Sequence, residues 1–402
     1  MEHAQTLPAS LPSAPAGASP QPSTDIACTT LDFERIPRPA WDRLYEVTAV
    51  ATPFARWPFH RAWWDAYGST AHAQYLARLD PGGHVADTHI RAIVPLMHRH
   101  EAEPQDEPTA TVLRHRSLTG THVRADAKAV FFGASYHADY ATVLCPRSEL
   151  AATARAVVEA LAGPPDQSHG DQPWDVVDLR RLRSSDPALA EFERAFRARA
   201  AAFGWRVLRE REDVCPVVSV VGADFEEYLG SLGKKARHEI RRKLRRAEEA
   251  GPLSVEIAEP SRSTVDTFID LHQKRFGADG LFPETEGGER SRHFVRRLAE
   301  LELAEGDARQ LQVALVRSGA RLIFAALAFD DGQTCYLYNA GMDPAAAELS
   351  PGVSGTAAYL RERMAAGRRR FDFMRGNEPY KYEWGARDES IERLLVLREE
   401  SA

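Results

Sequence analysis

Three apolar runs lie close together in the chain, Leu311 to Arg317, Arg321 to Phe329 and Thr334 to Ala340, joined by Ser318-Gly319 and by Asp330-Asp331-Gly332. Short Gly-bearing and Asp-bearing connections supply the backbone angles that tight hairpins need, so the three runs predict an antiparallel meander. A helix over Ser354 to Ala366, stopped at Gly367, then leads into a strand over Arg369 to Met374, and Ile391 to Arg398 reads as one more strand. Hairpins followed by a helix and a strand describe an α+β layer and not a doubly wound parallel sheet.

At 402 residues the chain exceeds the ~250 to 300 residues at which single cores stop growing, so two domains are expected. Residues 1–28, rich in Pro, Ala and Ser, read as a disordered tail. Residues 29–204 then form an N-terminal domain and residues 205–402 a C-terminal one. In the first, Ala51 to Gly68 combines a Pro turn with Phe59, Trp63 and Tyr67 at helical spacing. Strands are expected at Ala73 to Leu79, Thr88 to His98, Ala110 to Leu118 and Trp174 to Leu179, with a helix over Ser148 to Leu161 and a surface loop at Gly163 to Gln172. Pro187 to Phe203 reads as a helix because Pro opens it and Gly204 follows it. In the second, a strand is expected at Cys215 to Val221 and helices across 224–250, 261–277 and Ser291 to Ala304. Both halves run helix, meander, helix, strand.

The net charge of −7 gives no global attraction to nucleic acid, and a DNA partner is not expected. Cys28, Cys145, Cys215 and Cys335 lie far apart without a C-x-x-C pair, which removes the usual zinc and redox signatures and leaves no metal site in view. No leader-like start and no run of ~18 apolar residues occur, so a soluble cytoplasmic protein without a membrane span is expected. Nothing in the sequence sets an oligomeric state.

The segments CYLYNAGMDPAAAELSPGVSGTAAYL from Cys335 and GRRRFDFMRGNEPYKYEWG from Gly367 carry a family likeness, together with PF-x-x-x-x-F-x-x-A-WW at Pro53, ADY near Asp139, the basic helix from Lys234 and HQKRF at His272. In these the chain resembles the GNAT acyltransferase superfamily, in the bacterial CelD-like branch linked to cellulose and exopolysaccharide biosynthesis, which is related to FemAB peptidyltransferases. The resemblance implies two GNAT-like domains, each a mixed, mostly antiparallel sheet flanked by helices, with the last strand crossing back to complete the first. It also implies an N-acyltransferase that moves an acyl group from an activated donor to an amine of a sugar, amino acid or envelope precursor. Acyl-coenzyme A is the expected co-substrate, and no tightly bound cofactor is expected. Two rivals stay open: an aminoacyl-tRNA-dependent transferase of the FemAB kind, and a non-catalytic subunit that holds a nucleotide sugar for a polysaccharide-synthesis system. Against the first, the 251–311 segment is short for the helical hairpin of many such relatives.

Amide-forming acyl transfer needs a cradle for the donor, a route for the amine proton and a hydrogen-bonding or positive environment for the carbonyl oxygen. Ser350, Gly352, Ser354 and Gly355, in the turn before a helix, are the expected cofactor-binding residues, because free N–H groups and the helix dipole suit a pyrophosphate. A plain Pro-Gly turn capped by Ser354 fits them as well, and their spacing departs from the Gln/Arg-x-x-Gly-x-Gly/Ala pattern of coenzyme A enzymes. After the Arg369 to Met374 strand, Glu378 is the expected proton acceptor, Tyr380 or Tyr382 the donor to the leaving group, and Lys381 or Arg375 the partner of a phosphate or oxyanion. Asn377, Tyr382 and Trp384 are expected to wall the cleft, although the aromatic pair also suits pinning the loop to the core. Lys234 to Arg246 holds eight basic residues and one acid, with Ala236, Ile240, Leu244 and Ala247 along one docking face. The FemAB resemblance ranks Lys234, Lys235 and Arg237 above the others as substrate contacts. Arg275 at a helix end and Asp139 with Tyr140 in the N-terminal half complete the expected substrate-binding set.

Overall fold

The computed structural model describes residues 28–73, 75–80, 85–99, 129–134, 136–163 and 174–398. The N-terminal half supplies β1 (Cys28–Leu31), β2 (His72–Ala73), β3 (Tyr75–Leu79), β4 (Ile90–Val94), β5 (Leu96–Arg99), β6 (Ala129–Phe132) and β7 (Val176–Arg183). The C-terminal half supplies β8 (Trp205–Ser219), β9 (Leu253–Ala258), β10 (Leu311–Ser318), β11 (Arg321–Asp330), β12 (Thr334–Met342), β13 (Arg370–Asp372) and β14 (Arg387–Arg398). Strands β1, β3 and β4 make a small sheet, and the others form one sheet in the order β2-β5-β6-β7-β14-β8-β13-β12-β11-β10-β9.

The meander expected from the turns is β10, β11 and β12, antiparallel throughout. Two neighbouring pairs of the large sheet run parallel, β6 with β7 and β12 with β13. A parallel pair needs a crossover, and helices Leu150–Ala162 and Pro351–Ala365 lie in those two connections. The halves therefore repeat one strand-helix-strand arrangement. They are also interlocked, since β14, the last strand in the chain, inserts between β7 and β8.

Local chemistry explains most boundaries. Helix Pro187–Phe203 starts where the Asp186 carboxylate accepts the Ala188 N–H at 2.8 Å, and it stops at Gly204 with φ 62°. Helix Glu286–Ala304 begins five residues earlier than the apolar pattern suggested, because Thr285 caps it by accepting the Gly288 N–H.

Thr88 to His98 is not one strand. Pro95, which has no N–H to pair, divides it into β4 and β5, and the two belong to different sheets. Ala73 to Leu79 is likewise divided between the sheets. The Cys215 strand starts ten residues earlier, at Trp205, and β9 had no counterpart in the expectations. The expected strand at Ala110 to Leu118 lies outside the described residues, as does the tail up to residue 27.

On one face of the C-terminal sheet, helices Phe225–Ser231, Lys234–Ala250 and Pro351–Ala365 bury a core that includes Tyr228, Ile240, Leu244, Phe324, Tyr359 and Phe371. On the other face, helices Arg262–Phe276 and Glu286–Ala304 share one core with the N-terminal helix Trp57–Tyr67. Phe59 meets Phe294 edge to face at 5.2 Å, and the buried Arg56 guanidinium donates to the Glu302 carboxylate at 2.5 Å. The two halves thus share a sheet on one axis and a core on another.

Candidate functional site

Strands β12 and β13 pair at three positions, Thr334 with Arg370, Cys335 with Phe371 and Tyr336 with Asp372, and then part. The cause lies in β12 itself. Leu327 faces Asn339 while Phe329 faces Tyr336, so β12 carries one residue more than β11 between those pairs. Such a bulge bends its strand and often sits beside a functional site. Past it, β12 runs on as the open edge of a wedge, and Tyr338, Asn339 and Ala340 are half-buried there. The Ala340 N–H is held by the Asn339 side chain at 3.0 Å. Helix Arg262–Phe276 backs directly onto Gly341, where a Cβ would stand 2.4 Å from the His272 nitrogen, so this approach requires glycine.

The other lip of the wedge is the turn leaving β13. Met374 adopts φ 61°, unusual for a residue with a side chain, and Gly376 adopts φ 106°. Lys381, only 3% exposed, reaches back beneath this turn. Its ammonium donates to the carbonyls of Met374, Arg375 and Gly376 at 3.0, 2.8 and 3.1 Å and pairs with Glu378 at 2.9 Å. Glu378 is exposed. Burial would push its carboxyl up, but the Lys381 ammonium and the nearby Arg375 hold it below the usual glutamate value. Tyr380 is 49% exposed and stands edge-on to Phe373 at 6.5 Å. Its phenol is pushed up by partial burial and by Glu378, against the pull of Arg275.

The N-terminal half closes the wedge from across the molecule. The Tyr140 hydroxyl donates to the Asp372 carboxylate at 2.6 Å. Asp139 faces the Arg375 guanidinium at 3.3 Å and accepts the Arg375 N–H at 3.4 Å. The Tyr338 hydroxyl donates to the His137 carbonyl at 2.9 Å and lies 3.2 Å from its Nδ1. His137 Nε2 is 2.7 Å from the Tyr67 hydroxyl. With the Tyr338 proton on the carbonyl, Nδ1 carries the ring hydrogen and Nε2 accepts from Tyr67. Burial lowers the His137 imidazole to about 3, so it is neutral. Asp372, 2% exposed, is raised by burial to about 6, although the Tyr140 hydroxyl and the Met374 N–H at 2.8 Å both favour its charged form.

Of the expected residues, Asp139, Tyr140, Arg275, Arg375, Glu378, Tyr380 and Lys381 gather around this wedge. Several differ from expectation in what they do there. Lys381 is buried and engaged by carbonyls, so its ammonium supports the turn and does not face a reacting oxygen. Tyr140 is buried against Asp372 instead of being open to a substrate. Trp384 is buried and Tyr228 donates to its carbonyl at 2.6 Å, so it pins the loop to the core. Tyr382 is exposed and donates to Asp388 at 2.7 Å, outside the wedge rim, and Asn377 is exposed.

The turn before helix Pro351–Ala365 also departs from the expected cradle. Ser350 itself adopts φ 50°, and its carbonyl takes the N–H groups of Val353 and Ser354 at 2.9 and 3.0 Å. Ser354 lies inside the helix, fully buried, with its hydroxyl donated to the Leu349 carbonyl at 2.9 Å. A Cβ on Gly355 would meet Phe324 Cγ at 2.4 Å, so Gly355 is a packing glycine. Ser350 and Gly352 are half-buried at the helix start.

The basic helix docks through Ile240, Leu244 and Ala247 as its pattern implied, with Ala236 half-buried. Arg237 donates to the Gly230 carbonyl at 2.8 Å, and Arg241 and Arg242 pair with Glu226 and Glu239, while Lys234 and Lys235 are exposed. The Arg275 guanidinium lies over its neighbour Phe276 at 4.3 Å.

Asp372, His137 and Tyr338 were not among the expected residues. An acid between two phenylalanines in FDF does signal a polar group on the strand face opposite its neighbours, whereas the His137 and Tyr338 pairing joins residues 201 positions apart and leaves no local trace. Among the described residues no group of three or more His, Cys, Asp or Glu is positioned to hold a metal ion. No described helix is long and apolar enough to cross a membrane.

Residues 234–382 match the family model of the acetyltransferase (GNAT) domain. No curated protein matches the sequence. Among solved structures, FemX is 10% identical over 91% of this chain and 96% of its own, with a TM-score of 0.56. A conserved protein of unknown function from Bacteroides thetaiotaomicron VPI-5482 is 12% identical over 92% and 99%, with a TM-score of 0.51. A tandem GNAT protein from the clavulanic acid biosynthesis pathway is 10% identical over 92% and 97%, with a TM-score of 0.41. The first two likenesses show a shared fold, and the family match makes the 234–382 segment a GNAT-type acyltransferase domain.

Proposed function

We propose that this chain, with its GNAT-type acyltransferase domain, is an N-acyltransferase that passes the acyl group of acyl-coenzyme A to an amine of a sugar, amino acid or envelope precursor. The observation that carries this reading is the wedge: an open strand edge facing a turn rich in ionisable groups. An extended thioester arm lies along such an edge, where backbone groups free of strand partners receive it. The amine nitrogen then attacks the thioester carbonyl, the new C–N bond forms, and the C–S bond breaks as the tetrahedral intermediate collapses. Glu378, kept ionised by Lys381 and Arg375, takes the amine proton, and Tyr380 delivers a proton to the departing sulfur. Arg375 faces the developing oxyanion. Lys381 holds the turn that carries all three, and Ser350 and Gly352 with the cations of the neighbouring basic helix receive the phosphates of the donor. The four cysteines are unpaired, which suits a reducing cytoplasm.

The motifs from Pro53 and Phe371 rank exopolysaccharide and envelope amines first among acceptors, in the CelD-like branch. Thermal shift measurements on the purified protein with acetyl-coenzyme A, a nucleotide sugar and charged tRNA separate this reading from its rivals. A rise in melting temperature with acetyl-coenzyme A supports it. Stabilisation by charged tRNA alone would move the donor to the aminoacyl class, and stabilisation by nucleotide sugar without amide formation would leave a binding subunit.

A further inference from the structure

We infer that Asp372 is a positioning residue of the transfer site: its carboxylate, gripped by the Tyr140 hydroxyl and the Met374 N–H, fixes how the 374–381 turn leaves β13 and so aims Arg375, Glu378 and Tyr380 at the wedge. The inference rests on the acyl-transfer reading for its kinetic consequence but not for its geometry. A carboxyl group in mid-sheet is an unfavourable choice for stability. Burial disfavours its charged form, its neighbour Arg370 pairs with Glu389 instead, and a well-packed apolar residue of similar volume would serve the core better.

What the carboxylate does accomplish is specific. One oxygen accepts the Met374 N–H at 2.8 Å and thereby stabilises that residue at φ 61°, a conformation that otherwise costs a non-glycine residue free energy. That turn brings three successive carbonyls onto the Lys381 ammonium and leaves Glu378 beside it. The other oxygen accepts from Tyr140, whose neighbour Asp139 holds Arg375. The same N-terminal segment grips β12 through His137 and Tyr338. Both lips of the wedge are therefore referenced to residues 137–140 of the other half, and Asp372 is the point where that reference meets the turn.

The groups facing Asp372 are Tyr140 and Met374, with Tyr336, Cys215, Arg370 and Glu389 nearby. The two tyrosine protons and the cysteine proton stay in place across the neutral range because burial pushes Tyr140, Tyr336 and Cys215 up, and Arg370 pairs with Glu389, so the carboxyl is the group that titrates.

The test uses the full chain with Tyr140→Phe, Asp372→Asn and Asp372→Ala. Amide hydrogen exchange across 374–382 is expected to quicken about tenfold in Tyr140→Phe, the loss of one hydrogen bond to a charged acceptor. With acetyl-coenzyme A and an accepted amine, kcat is expected to fall about tenfold to a hundredfold while KM for the donor stays within about twofold, and Asp372→Asn, which keeps an acceptor oxygen, is expected to retain more activity than Asp372→Ala. Exchange at wild-type rates in Tyr140→Phe would overturn the inference whatever the activity, and so would a lowered melting temperature with unchanged kcat. Should Asp372→Ala fail to fold, Tyr140→Phe decides the matter, since it deletes a single oxygen. Failure of the wild type to transfer an acyl group would count against the proposed function, whereas the exchange result bears on the clamp alone.

Discussion

Asp372 gives the fold a pH dependence with a definite sign. An aspartate in the unfolded chain ionises near 4, and in the folded protein near 6, so the native state favours the protonated form. The stability from this group is complete below about pH 4 and is lost as pH rises through about 6, a difference of about 3 kcal/mol at most. Asp372→Asn, which does not titrate, is therefore expected to melt above the wild type at pH 8, with the difference shrinking toward pH 4. Melting curves across that range check this, and a difference independent of pH would contradict it. Lys381 stabilises the turn through its hydrogen bonds. Replacing it with Met leaves three carbonyls without their donor, which is expected to cost about 1 to 3 kcal/mol in chemical denaturation and to open the turn to limited proteolysis. A side chain whose removal leaves both stability and cleavage unchanged would not be holding the turn.

Elements differ in how far their own residues announce them. The β10 to β12 meander was legible because its turns carry Gly and Asp at fixed places, and helix Pro187–Phe203 because Pro187 and Gly204 mark its ends. The interlock of β14 with β7 and β8 was expected from the resemblance and is present. Other features have no local signature. The wedge arises from one extra residue in β12 relative to β11, a property of register between two strands and not of either sequence. The first ten residues of β8 hold a run of five charged residues from Arg209 to Asp213 and look like surface, yet they pair with β14. In the SPGVSG turn, the residue types alone fit a phosphate cradle, but contact with β11 assigns Gly355 to packing. Gly355→Ala is accordingly expected to destabilise by about 1 to 3 kcal/mol through contact with Phe324, with the acyl donor's KM little changed. Denaturant titration beside a donor titration distinguishes this from a binding role, in which KM would rise without loss of stability. Within the candidate site, Glu378, Tyr380 and Arg375 were singled out because the FDFMRGNEPYKYEWG segment mixes aromatic and charged residues densely. Their partners Tyr140 and Asp139 were named, but the link between them and β13 spans 232 residues and only the folded chain shows it.

For the molecule as a whole, the two halves are held as one body by the interlocked sheet, the shared aromatic core and the buried pair of Arg56 with Glu302. The Glu302 carboxylate also accepts the N–H groups of Gln310 and Leu311 at 2.8 and 3.2 Å. Glu302→Ala would leave the buried Arg56 guanidinium with the longer Glu305 contact at 3.4 Å and the Ala308 carbonyl at 3.1 Å, and is expected to cost about 2 to 4 kcal/mol, measured by equilibrium unfolding. A loss below about 1 kcal/mol would mean that the interface does not depend on this pair. The wedge belongs to this whole-molecule scale, because one lip is family-matched sequence and the wall behind it is the N-terminal half. Transfer of an acyl group from acyl-coenzyme A to an amine there is measured by incubating the full-length protein with acetyl-coenzyme A and a panel of amino sugars, amino acids and envelope precursors, counting free thiol and acylated amine together. Equal amounts of both are expected, with the yield falling about tenfold or more in Glu378→Gln. Free thiol without acylated amine, or no turnover with any amine while charged tRNA supports amide formation, would contradict that transfer.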